Sequence, residues 1–116
     1  MAMPESTIPF SVSVHADDGA VIAAIAGELD LATGPLVREN LRPFYGRRDR
    51  IVYELDRIAF IDSAGLESLF DAVENGEAII FKNPSPSVRR ILELLDISVN
   101  VEESFTESVR ATTESE

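Results

Sequence analysis

The stretch Ile58–Val73 reads Ile-Ala-Phe-Ile-Asp-Ser-Ala-Gly-Leu-Glu-Ser-Leu-Phe-Asp-Ala-Val, and its reading decides the fold. The first four residues are apolar, as expected of a segment buried beside a sheet. Leu66, Leu69, Phe70 and Val73 then follow at i, i+3, i+4 and i+7, the spacing of one helix face. Asp62-Ser63-Ala64-Gly65 joins the two parts without a bulky side chain. That joint places the Ser63 hydroxyl at a helix start, where unpaired N–H groups and the helix dipole favour an anion. Ser63 is therefore the candidate functional centre, and the bland reading of it is a plain N-cap.

Working outward toward the N-terminus, Ile51–Leu55 reads as a strand that feeds the joint through Asp56 and Arg57. Before it, Gly27-Glu28-Leu29-Asp30 leaves a continuous apolar run, Val21–Ala26, read as a strand covered on both faces. Thr33 is the expected N-cap of a helix with Pro35 in its first turn and Val37, Leu41 and Phe44 on its buried side. Phe10, Val12 and Val14 alternate with serines as a half-buried strand. The turn Asp17-Asp18-Gly19 pairs that strand with the next as a hairpin and leaves it at an edge.

Toward the C-terminus, Asn75-Gly76 stops the central helix, and Ala78–Phe81 is another apolar strand. Ser85 and Pro86 open a helix whose face is Val88, Ile91, Leu92 and Leu95. Ile97, Val99 and Val101 alternate as a short strand, and Phe105 and Val109 suggest a brief closing helix. The order is ββαβαβα(β)α. Strands separated by helices pair in parallel through right-handed crossovers, so the expectation is a single α/β domain with a four- or five-stranded mixed sheet. Its expected limits are residues 8–111, with 1–7 and 112–116 as flexible termini.

The 116 residues suffice for one core and show no internal repeat. Ten basic residues against 21 acidic ones give a formal charge of −11, which opposes binding to nucleic acid or anionic lipid. Cysteine is absent, so disulfides and thiolate metal sites are excluded. No segment approaches the ~20 apolar residues of a membrane span. The N-terminus lacks the basic and apolar regions of a signal peptide, so a cytoplasmic location is expected.

Catalysis is poorly supported by these residues. A serine nucleophile needs a base, and the only histidine, His15, falls at the end of the edge strand. The hydrolase elbow also needs glycine two residues before the serine, where this chain has Ile61. Asp30 and Asp62 at strand ends make too sparse a cation site, so no metal and no cofactor is assigned. A phosphoaspartate receiver with Asp62 and Lys82 lacks the paired acidic residues such a site needs. Modification of Ser63 by another protein's kinase requires less machinery. Phosphate adds about −1.5 to −2 charges, which a helix start tolerates and a protein surface docked over it does not.

Three motifs together resemble one family: Gly27-Glu28-Leu29-Asp30 after a strand, Asp62-Ser63-Ala64-Gly65-Leu66 opening a helix, and Ser85-Pro86-Ser87-Val88-Arg89-Arg90 opening another. They are similar to the STAS family, and most to its bacterial anti-sigma factor antagonists, over about Phe10–Val109. The resemblance implies a cytoplasmic, non-enzymatic partner-switching protein. It implies that the unmodified chain binds an anti-sigma factor that is also a serine kinase, that this kinase phosphorylates Ser63, and that a phosphatase reverses it. ATP belongs to the kinase. The implied partner-binding residues are Asp30, Asp62, Ser63, Ala64, Gly65, Leu66 and Glu67. Glu67 replaces a small residue of the family pattern, Ala64 replaces a second hydroxyl, and the helix stops early at Asn75-Gly76. The competing reading keeps the fold but makes the chain a regulatory or structural subunit of a transporter or signalling assembly, without a phosphoryl switch.

Overall fold

The computed structural model describes residues 9–47 and 49–103. The elements are β1 (Ser11–Asp17), β2 (Ala20–Leu29), α1 (Gly34–Leu41), a 3-10 turn (Arg42–Phe44), β3 (Arg50–Ile61), α2 (Ser63–Glu74), β4 (Ile79–Lys82), α3 (Pro86–Leu94) and β5 (Val101–Glu102). The five strands form one mixed sheet in the order β1-β2-β3-β4-β5. β1 runs antiparallel to β2 through the turn at Asp17–Ala20, and the other pairs are parallel. The predicted closing helix at Phe105 and Val109 lies outside the described residues.

The topology follows from one rule applied three times. Each of α1, α2 and α3 connects a strand to its next neighbour in the same direction across the sheet. Right-handed crossovers therefore put all three helices on one face. The core lies there: Val21, Ala23 and Ile25 of β2, Ile51, Tyr53 and Leu55 of β3, and Ile79 and Phe81 of β4 meet Val37, Leu41, Leu69, Val88 and Leu92 from the helices. Tyr53 anchors it, edge-to-face on Phe81 at 5.8 Å, with its hydroxyl donating to the Leu69 carbonyl at 2.7 Å.

Several expectations change. The two faces of the run Val21–Ala26 are covered unequally: Val21, Ala23 and Ile25 are buried against the helices, whereas on the other side Ile22 and Ala24 are half-buried and only Ala26 is buried. β3 does not stop at Leu55 but continues to Ile61, and two register shifts against β2 absorb its extra residues. Val73 is 46% exposed, and α2 instead buries Gly65, Leu66, Ser68, Leu69 and Ala72. Small residues there let α1 approach, since Gly34 lies against Ser68 and the Ala64 carbonyl. Ile97–Asn100 is irregular, so β5 is confined to Val101–Glu102. α1 ends at Leu41, and with Pro43 the chain passes into the 3-10 turn that ends at Phe44.

Candidate functional site

β2 and β3 end side by side, and their last residues build the site. The Asp62 N–H donates to the Leu29 carbonyl at 3.3 Å, tying the start of α2 to the end of β2. Asp62 has extended backbone, and its Oδ1 accepts from the Gly65 N–H at 2.7 Å, so Asp62 rather than Ser63 caps α2. Ser63 is the first residue of the helix, and it is exposed. No hydrogen bond of its hydroxyl occurs among the described residues. The plain N-cap reading of Ser63 is thus replaced by one in which the cap is already provided.

Gly65 is required by proximity. A Cβ built on it would lie 2.1 Å from the Leu29 carbonyl oxygen and 3.1 Å from the Asp30 nitrogen. α2 therefore begins pressed against the chain that carries Asp30. Asp30 is half-buried, and its Oδ1 accepts from the N–H groups of Ala32 at 3.0 Å and Thr33 at 3.1 Å. The Thr33 N–H bond, ahead of smaller contributions, holds the Asp30 carboxyl below its ordinary value. Thr33 stands at the N-cap position of α1, yet its side chain does not cap. Its Oγ1 accepts from the Asp30 N–H at 2.9 Å and lies 2.8 Å from the Glu28 carbonyl, bracing the loop.

Of the expected partner-binding residues, Ser63 and Glu67 are exposed, Asp30, Asp62 and Ala64 are half-buried, and Gly65 and Leu66 are buried. Gly65 and Leu66 therefore shape this surface from beneath. A cavity of about 370 Å³ opens beside Ser63 and is also lined by Leu66, Glu67, Phe70, Leu95 and Ile97, with Arg38, Asp71 and Glu74 completing it. Asp71 is held from the α1 side, accepting from the Tyr45 hydroxyl at 3.0 Å with the Arg38 Nε at 3.9 Å. Sequence reading missed Leu95 and Ile97 here because it assigned them to a helix face and a strand. It also missed Leu31 and Phe60, which are 76% and 48% exposed. Phe60 pairs with Glu28 just before the site, and Leu31 follows Asp30. Sequence carried no signal for them: Ile58–Ile61 reads as wholly buried, whereas Ala59 and Phe60 are exposed, and apolar side chains left in water show only in the fold.

His15 pairs with Ile22 and so points to the sheet face opposite α2, which separates it from Ser63. Among the described residues no group of three His, Cys, Asp or Glu side chains is placed to hold a metal ion, and no helix is long and apolar enough to cross a membrane. A second cavity, of about 430 Å³, opens at the start of α3 between Asp56, Asn83, Pro84 and Arg89 and shares no residue with the first.

Comparison with known structures gives the same architecture. The chain superposes with a TM-score of 0.69 at 20% identity on a candidate anti-sigma factor antagonist of Thermotoga maritima, covering 86% of this chain and 92% of that one. An anti-sigma factor antagonist of Mycobacterium paratuberculosis matches with a TM-score of 0.67 at 21% identity, over 96% of this chain and 97% of the other. The Bacillus cell fate determinant SpoIIAA, in its phosphorylated form, matches with 0.63 at 20% identity, over 90% and 99%. The sequence model of the STAS domain matches residues 11–113, and on that match the chain belongs to the STAS domain family.

Proposed function

We propose that this chain is an anti-sigma factor antagonist controlled by phosphorylation of Ser63. Unmodified, it binds an anti-sigma factor serine kinase through Asp30, Asp62, Ser63, Ala64 and Glu67 over a base set by Gly65 and Leu66. Phosphorylated, it lets that partner go, and a phosphatase restores it. The chain contributes no catalytic group or cofactor, because ATP and the phosphoryl transfer belong to the kinase, and the exchange takes place in the cytoplasm.

The observation that carries this reading is the exposed Ser63 at the first position of a helix capped by Asp62. A kinase can reach it, and the fold does not need its hydroxyl. A phosphate there adds to Asp62 and Glu67, so its cost falls on whatever must cover it. Even ~3 kcal/mol of lost binding is more than ~100-fold in affinity. That SpoIIAA, which shares the fold, exists in a phosphorylated form adds support.

The test is the affinity for a purified anti-sigma kinase of wild type, Ser63→Ala and Ser63→Asp, with circular dichroism to verify folding. Ser63→Ala should bind and resist release by ATP, and Ser63→Asp should not bind. Equal binding by both variants would remove the switch and leave a constitutive STAS subunit of a larger assembly.

A further inference from the structure

We propose that the helix-free face of the sheet is a self-association surface, on which a second copy of this chain docks face to face. This is independent of the switch at Ser63. Strand register alone lines up one row across four strands: His15 opposite Ile22, Ile22 opposite Val52, and Val52 opposite Ile80. Among the described residues no helix covers that row. Ile22 and Ile80 are half-buried, and Val52, at the centre, is 5% exposed. An apolar row of three branched side chains across a solvent-side face departs from the polar alternation usual there.

The residues on either side of the row show which occupant fits. On β3, Arg50 and Glu54 stand two residues before and two after Val52, on the same face. On β2 the equivalent positions are Ala20 and Ala24, small enough to let a second sheet approach. Rotating a copy by 180° about an axis lying along the row exchanges the two flanks. Ile22, Val52 and Ile80 then each meet themselves, the alanines meet each other, and Arg50 meets Glu54 of the second copy twice. That is the self-complementarity a two-fold interface requires. Neither Arg50 nor Glu54 makes an ion pair among the described residues, although Lys82 stands beside Glu54 in register on β4. At ~3.3 Å per residue they lie about 13 Å apart along one strand, too far to satisfy each other. The contact area is small, about 14 Å across three strand spacings by about 17 Å along five residues, well under the ~800 Å² per partner of standard interfaces. The dimer is accordingly weak.

Sedimentation equilibrium of the full chain from ~10 μM to ~1 mM tests this, with Arg50→Glu, Glu54→Arg and the double variant. Each single exchange should weaken dimerisation at least ~10-fold, because symmetry repeats the like-charge contact twice. The double exchange should return it to within about threefold. Glu54→Arg is the sharp case, since it lowers the magnitude of the net charge from −11 to −9 and would favour association if general repulsion governed it. As a second measurement, Ile22→Cys in this cysteine-free chain should be linked to its copy by a short bis-maleimide, while Glu39→Cys on α1 should not. A chain that stays monomeric at ~1 mM overturns the proposal, as does a dimer indifferent to the exchanges. So does an Ile22→Cys variant that reacts with the reagent at ~1 mM chain without being linked.

Discussion

Replacing Gly65 by alanine isolates the contact on which the site is built. In an open helix this change adds about 1 kcal/mol of stability, because glycine is the poorer helix former. Here the new methyl would stand 2.1 Å from the Leu29 oxygen and 2.6 Å from its carbonyl carbon, both backbone atoms with no rotamer to yield. Restoring ordinary contact needs more than ~1 Å of separation between α2 and β2, and overpacking of this kind costs about 1–3 kcal/mol. The movement also stretches the Asp62–Leu29 bond, already 3.3 Å, and strains the Asp62–Gly65 cap, together about 2 kcal/mol. The net expectation is a loss of ~2–4 kcal/mol, a large share of the ~5–15 kcal/mol that holds a domain together. Urea unfolding followed by circular dichroism measures it directly, and the melting temperature should fall by roughly 10–20 °C. Gly34→Ala is the comparison: its Cβ would meet the side chain of Ser68 at 3.1 Å, and it should lose less. If Gly65→Ala is as stable as wild type, α2 is not pinned against β2 and the placement of the helix start against the end of β2 fails with it.

Asp62→Ala removes the cap of α2 and should cost ~1 kcal/mol in the same unfolding assay, whereas Ser63→Ala should change stability by less than ~0.5 kcal/mol. Burial first, and then its bond to Asp71, raises the pKa of Tyr45, and burial raises that of Tyr53. Both native states hold their protons after the unfolded chain, with ordinary tyrosines near ~10, has released its own. Stability should therefore be intact below about pH 10 and fall as pH rises beyond it, and 295 nm absorbance should show neither phenol ionising normally until the protein unfolds. Asp30 acts with the opposite sign. Its carboxyl is held below the ordinary 3.8, so its contribution is present above that value and disappears as pH falls through the native pKa. The acid limb of the stability curve should flatten in Asp30→Asn.

The fold was legible because its strongest signals are local. Pro86 behind Ser85, Asn75-Gly76 and the alternation of Phe10, Val12 and Val14 each fix a start, a stop or a face without help from distant residues. What sequence could not show depends on the approach of separate segments. The spacing that placed Val73 on the buried face of α2 ignored Gly65, Ser68 and Ala72, whose small size matters only once α1 and β2 press against them. The run Val21–Ala26 looked two-sided because hydrophobicity does not report which side the crossovers take. At the site, the Asp-Ser pair was plain, but not which of the two caps the helix. Both types cap well, and the choice was settled by the Leu29 carbonyl receiving the Asp62 N–H.

That choice governs what a modification at Ser63 would do. Were Ser63 the cap, a phosphate on it would replace the oxygen that holds the Gly65 N–H, and modification would first reshape α2. With Asp62 in that place the first turn is satisfied before any phosphate arrives. The positive end of the helix offsets part of the added charge, and Asp62 and Glu67 oppose it. These opposed local effects would leave the domain folded with and without the phosphate. Under the proposed switch, the difference between the states would be carried by the surface at Ser63 and Glu67, both exposed. The phosphate would then act on the covering partner rather than by reshaping the helix start, and the Asp62 cap is the feature that separates the two.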